Sequence, residues 1–167
     1  MLGSEGYLVQ VSRFERASQP YPEQRSVGAD DATPAGELSL IARRIVERTG
    51  AETCALVVFS QTDRLVHVVG AWGTAPGGEV PVALHAGDGF VGRVLESARS
   101  AGEPIDSAHD PSLGRAASGA TLTYAAGAGI RPPGGPPGAL CLGFAVRPAD
   151  EALTLWQIES YARLAAL

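Results

Sequence analysis

The stretch of this chain with the most chemistry in its spacing is His85-Ala86-Gly87-Asp88-Gly89-Phe90-Val91-Gly92-Arg93-Val94-Leu95. Its glycines at 87, 89 and 92 spell G-x-G-x-x-G, a spacing that lets a backbone turn approach a pyrophosphate and open a helix against it. Asp106 lies 19 positions past Gly87, close to where a ribose-binding carboxylate is wanted. Other reactive residue types are few. The chain has three histidines, His67, His85 and His109, and two cysteines, Cys54 and Cys141. Neither cysteine has a second Cys or a His at metal-ligand spacing, and no nucleophile–base pair or paired carboxylates stand out. His109 is the histidine best placed to contact a ligand or a haem iron, because it sits in a long Ala/Ser/Gly-rich segment. The plainer reading is an exposed turn residue beside Asp110-Pro111.

The elements around these residues decide between a dinucleotide site and a structural turn. A helix is expected from Thr33-Pro34, with threonine as cap and proline at the first helical position. Leu38, Ile41, Ala42, Ile45 and Thr49 follow at helical spacing, and Gly50 ends it. Thr53–Phe59 and Arg64–Trp72 read as a β-hairpin about Gln61-Thr62-Asp63, its first strand apolar on both faces and therefore central. Val80, Val82 and Leu84 alternate into the glycine stretch. Asp88 is expected to cap a second helix whose buried stripe is Phe90 or Val91, Val94 or Leu95, and Ala98. Glu103-Pro104-Ile105-Asp106 reads as an edge strand, since Pro104 cannot donate to a central ladder. Residues 107–123 form a loop too long to be a plain connection, which points to a functional loop or lid. Tyr124–Ile130 and Ala139–Val146 make a second hairpin around a Pro/Gly loop. A final helix runs from about Asp150, with Leu153, Trp156, Leu164 and Leu167 on one side and Leu155, Ile158, Ala162 and Ala165 on the other. One of those faces covers the domain's own sheet and the other needs a second cover.

Tight hairpins on either side of the glycines make antiparallel neighbours, whereas a dinucleotide-binding unit needs parallel strands joined by crossover helices. The strand before Gly87 alternates and carries Pro81, unlike a buried parallel strand. An enzyme with a dinucleotide site at 87–92 is therefore the weakest of three readings. The structural alternative has Asp88 capping the helix, Gly87 and Gly89 shaping the turn, and Gly92 letting the helix approach the sheet.

Composition narrows the function classes. Apolar residues at 45% and charged residues at 19% describe an ordinary globular chain of about one domain. Net charge is −5, and all thirteen basic residues are arginines without a basic stripe, which argues against nucleic acid as a partner. No apolar run approaches the length of a signal peptide core or a membrane span. Cys54 and Cys141 lie inside apolar runs and are expected to be free buried thiols in a cytoplasmic protein. No Lys or Asn occurs beside abundant Ala, Gly and Pro, a composition expected of a GC-rich bacterial gene. Residues 1–33 hold little apolar surface beyond a short strand candidate at Tyr7–Val11, and are expected to be a tail or linker to the domain at 34–167. Ending in mid-helix on Leu164-Ala165-Ala166-Leu167, the chain is expected to be a piece of a longer signalling protein.

Gly87-Asp88-Gly89-Phe90-Val91-Gly92-Arg93-Val94, then Gly102-Glu103-Pro104-Ile105-Asp106, then the closing hairpin at 124–146 together resemble the GAF domain family of small-molecule sensing modules, related in fold to PAS domains. The resemblance runs from about Ala35 to Leu167. It implies an α+β fold with an antiparallel sheet of about six strands. The first and last helices would share one face, often pairing with another protomer, and a helix plus long loop would cover a ligand pocket on the other. Trp72, Phe90, Val91, His109 and Tyr124 are the candidate pocket residues, and Leu155, Ile158, Ala162 and Ala165 the candidate dimer interface. The ligand or cofactor is left unnamed. Cyclic-nucleotide-binding members carry a motif with Asn and Lys, sulfoxide-reducing members a cysteine cluster, and bilin-binding members a loop cysteine, and this chain has none of these. The small residues Ala125, Gly127, Gly129, Gly143 and Ala145 have two readings: room for a ligand, or close packing of helices. The functional expectation is a non-catalytic regulatory domain that binds a small molecule or dimerises, and controls an output domain in the same or a partner chain. The runner-up is a scaffold whose pocket is filled by its own side chains.

Overall fold

In a computed structural model of the chain, residues 34–76, 85 and 87–166 are described. Helix α1 (Pro34–Thr49) leads into strands β1 (Thr53–Phe59) and β2 (Val66–Trp72). Helix α2 (Gly89–Ser97), strand β3 (Ala101–Pro104), a short 3-10 turn at Pro111–Leu113, strands β4 (Tyr124–Ile130) and β5 (Gly138–Phe144), and helix α3 (Glu151–Ala165) complete the order. The strands form one antiparallel sheet in the order β2-β1-β5-β4-β3. The described sheet has five strands rather than about six. The strand expected at 80–84 and the tail at 1–33 lie outside the described residues.

Why these segments take these positions follows from their composition. β1 is apolar on both faces and lies between β2 and β5, buried along most of its length. β3 carries Pro104 and lies at an edge, where a missing N–H is tolerated. Gly50, in the left-handed region at φ +70, closes α1, and its N–H donates to Val46 O (3.0 Å). No helix among the described residues is long and apolar enough to cross a membrane.

The two faces of the sheet differ in side-chain size, because successive strand residues point to opposite sides. Toward α1 and α3 point Leu56, Tyr124, Leu140, Leu142 and Phe144, which pack with Ala42, Ile45, Ile158 and Ala162. Toward α2 point Ala55, Ala125, Ala139 and Cys141, mostly small. The second face thus has depth to fill, and what fills it decides whether it holds a ligand site.

Candidate functional site

Helix α2 begins at the glycine turn, and its first backbone N–H groups point where an anion sits in a nucleotide-binding fold. They are already engaged. Phe90 N–H donates to Asp110 Oδ2 (2.7 Å) and Val91 N–H to Ser112 Oγ (3.3 Å). Both acceptors come from the long loop, 20 and 21 residues downstream. Asp110 is held in turn by Ser112 N–H, which donates to Oδ1 (3.0 Å), and by Arg93, whose guanidinium lies 3.8 Å from Oδ2.

This arrangement corrects the expected local cap. Asp88 occupies the N-cap position but makes no capping bond with its side chain. Its carboxylate turns back to His85, accepting from the backbone N–H (3.1 Å) and facing Nδ1 (3.1 Å). The reason lies in Gly89. It adopts φ +57, and a Cβ there would stand 2.5 Å from Asp110 Oδ1 and 2.8 Å from Ser112 Cβ. The bare glycine admits the distant carboxylate. Gly92 also differs from its expected task. A Cβ there would meet His85 O at 2.7 Å, so this glycine seats the turn on the helix, not the helix on the sheet.

Beneath α2 the face is filled by the chain itself. Phe90, Val91, Val94 and Leu95 descend from the helix, and Leu113, Ala116 and Leu122 from the loop, all buried in one cluster with Ala125, Ala139 and Cys141. A Cβ on Gly127 would lie 3.2 Å from Phe90 Cε1, and one on Gly143 2.8 Å from Leu122 Cδ1. At these positions the small residues make room for the helix and the loop. The loop is bonded down as well, with an isolated bridge between Thr74 and Ala116 and a bond from Ser118 Oγ to Glu52 Oε2 (2.6 Å). One polar atom remains beneath it: Thr53 Oγ1 is buried with no hydrogen-bond partner among the described residues.

The candidate pocket residues are not brought together. Phe90 and Val91 belong to the α2 face. Tyr124 points to the opposite face, edge-on to Phe144 with ring centroids 6.4 Å apart. Among the described residues its hydroxyl makes no hydrogen bond, and burial, helped by the nearby Glu151 carboxylate, pushes it up to about 12. Trp72 is partly exposed near the end of β2 with the Arg43 guanidinium stacked 5.2 Å from its ring centroid. His109 is exposed, its Nδ1 2.7 Å from Asp106 Oδ2, and that bond is the leading cause holding Asp106 below the usual carboxylate range. Asp106 thereby serves a surface turn, not a ribose.

The two faces of α3 also exchange roles. Of the four residues expected at a dimer interface, Ile158 is 0% exposed, Ala162 is buried beside it and Leu155 packs against the same core, so this face covers the domain's own sheet. Ala165 is exposed at its edge and lines a groove of about 120 Å³ between α3, α1 and the sheet. Leu153, Trp156 and Leu164, at 49, 64 and 66% exposure, form the outward stripe. The wheel alone presents two comparable apolar faces. The sheet receives the one whose small Ala162 allows close approach. A second cavity, about 540 Å³, opens between the end of α2, β4 and α3. It was not foreseen from the sequence, because its arginines are dispersed at 99, 131 and 163.

Cys54 and Cys141 lie on adjacent strands with Ala55 opposite Cys141, yet their side chains enter clusters on opposite faces. Burial pushes the Cys54 thiol up to about 12 and Cys141 higher still. Neither is placed to bridge to the other or to act as a thiolate. Among the described residues no three His, Cys, Asp or Glu side chains are grouped to hold a metal ion.

No protein-family model matches the sequence, and no curated protein is similar to it. Solved structures do match. The GAF domain of an Acinetobacter phosphoenolpyruvate-protein phosphotransferase superposes with a TM-score of 0.62 at 12% identity, covering 98% of this chain and 92% of that one. The second GAF domain of DevS from Mycobacterium smegmatis gives 0.56 at 20% identity, covering 80% and 90%. The fold is that of GAF domains. A type II free methionine-R-sulfoxide reductase from Thermoplasma acidophilum is also similar, with a TM-score of 0.61 at 15% identity over 80% of this chain and 89% of that one. Identities this low speak for the GAF architecture alone, and the work this domain does has to be argued from its own residues.

Proposed function

We propose that this chain is a non-catalytic regulatory GAF domain that works as a homodimer through its terminal helices and controls an output domain in the same or a partner chain, in the cytoplasm. The observation carrying this reading is the outward stripe of α3. Leu153, Trp156 and Leu164 recur at i, i+3 and i+11 with Ser160 between them, and all three point away from the sheet. Large apolar side chains exposed along one helix face are the kind of surface that marks an interaction site. A second copy is the simplest cover, because a two-fold pairing sets the stripe against itself. Leu40 and Ile41 of α1, which packs on the same face of the sheet, are exposed as well. The absence of catalysis is supported by two buried thiols held protonated and by a glycine turn whose N–H groups are spent on Asp110 and Ser112. Light scattering on the native chain and on Trp156→Glu/Leu164→Glu tests the reading. A dimer that the double variant turns into a folded monomer supports it, and a native monomer sinks it.

One observation favours a second reading, a sensor whose ligand enters by lifting the loop at 107–123. The unpartnered Thr53 hydroxyl lies beneath that loop, close to Gly143 and Leu122. A metabolite at 100 times its dissociation constant would add about 2.7 kcal/mol of stability. A thermal-shift screen in which no compound moves the melting point removes this reading and leaves the scaffold one.

A further inference from the structure

The larger cavity belongs neither to the face under α2 nor to the apolar stripe of α3. It exists because β3 is short. β3 pairs only with residues 124–127 of β4, and Ala128 and Gly129 run past its end into the wall of a cleft of about 540 Å³. That volume is within the range of about 300–1,000 Å³ usual for small-ligand sites. Arg99 from the turn after α2, Arg131 from the end of β4 and Arg163 from α3 all line it. Three cations from three elements thus meet in one cleft of a chain whose net charge is −5.

Glu159 is the counterweight. It accepts from the Ser100 hydroxyl and lies 3.5 Å from Arg163. Arg131 donates to Leu95 O (2.6 Å) and is thereby fixed against the C-terminus of α2. One carboxylate against three guanidiniums leaves the cleft at +2. Its rim also holds strained backbone. Ala98, a non-glycine residue at φ +57, packs against β4 where Gly129 has no side chain to displace it. At this φ Ala98 forms the left-handed C-cap of α2, its N–H donating to Val94 O (3.1 Å).

We infer that the cleft binds a small multivalent oxyanion carrying phosphate or carboxylate groups, gripped between Arg99 and Arg163 with Arg131 as its fixed side. A guanidinium presents a planar fork that matches either group, and oxyanion hydrogen bonds to it are charge-assisted. An anion seated there ties the end of α2 to α3, the helix whose outward stripe is proposed above as the dimer surface. The inference stands apart from the dimer reading, since binding and oligomeric mass are read separately.

The test is calorimetric titration of the full chain with sodium pyrophosphate and with sodium citrate at low ionic strength. Three proteins are compared: the native chain, Arg99→Gln/Arg163→Gln, and Arg48→Gln on α1 as a charge control. Both cleft arginines are exposed, so an unchanged melting temperature verifies that the double variant is folded. Saturable one-site binding of either probe, weakened about tenfold or more by the double variant and unchanged in the control, supports the inference. Pyrophosphate alone assigns phosphate, and citrate alone assigns carboxylate. No saturable heat with either probe, or equal weakening in the control, overturns it.

Discussion

Replacing Asp110 by alanine tests whether the long loop closes the face under α2. The carboxylate accepts from Phe90 N–H at 2.7 Å, and Phe90 is 1% exposed, so the freed N–H has no easy route to water. An unsatisfied buried donor costs about 1–3 kcal/mol, and the same bond viewed as a helix cap is worth about 1, so the two figures overlap and are not summed. A negative charge at a helix N-terminus adds about 0.3–1 kcal/mol. Asp110→Ala is therefore expected to lower stability by about 2–3 kcal/mol. Asp110→Asn keeps an acceptor and loses only the charge, for about 0.5–1 kcal/mol. Urea denaturation followed by circular dichroism measures both, and amide exchange at Phe90 and Val91 reports the opening locally. A loss below about 0.5 kcal/mol for the alanine variant, or equal losses for the two, would refute the idea that this carboxylate holds the loop to the helix.

Other consequences are as direct. Gly127→Ala sets a methyl 3.0 Å from Leu140 O and 3.2 Å from Phe90 Cε1, and is expected to cost about 1–3 kcal/mol of overpacking in the same denaturation assay. A neutral result would mean that the small residues enclose free space. Ala98→Gly relieves about 1–2 kcal/mol of left-handed strain against about 0.4–1 of added unfolded-state entropy, so a modest gain in stability is expected. Because burial raises the folded pKa of Cys54 to about 12 from an ordinary value of 9.0, its contribution is complete below pH 9 and is lost as pH rises toward 12. The loss of stability between pH 9 and 12 should accordingly be smaller in Cys54→Ser than in the native chain, and a thiol reagent at pH 8 should label neither cysteine until the chain unfolds. Ile158→Glu is expected to unfold the domain, with a loss of several kcal/mol, in contrast to Trp156→Glu, which should keep the native circular dichroism spectrum and lose only the concentration-dependent part of its melting temperature.

The sequence carried most of the architecture because its local signals agreed with one another. Thr53–Phe59 is apolar on both sides and is central, Pro104 lies on an edge strand, and Gly50 ends its helix. What failed depended on contacts between distant residues. Nothing near Asp88 shows that Asp110 will take over its capping task from 22 positions away, since that depends on the turn Gly89 makes in three dimensions. The helical wheel does not single out the buried face of α3, because both its faces are apolar, and the choice rests on Ala162 fitting against β4 and β5. The small residues of β4 and β5 left ligand and packing equally open until Phe90 and Leu122 were seen above them. The arginine cleft follows from where β3 stops, which no spacing encodes.

The terminal helices are the proposed working surface of this domain. Its most direct test is the solution mass of the chain by light scattering at tens of micromolar, beside that of Trp156→Glu/Leu164→Glu. The expected result is twice the 17.2 kDa of one chain for the native protein and a single chain for the variant. A native protein that runs at 17.2 kDa, or a variant that stays dimeric, contradicts it.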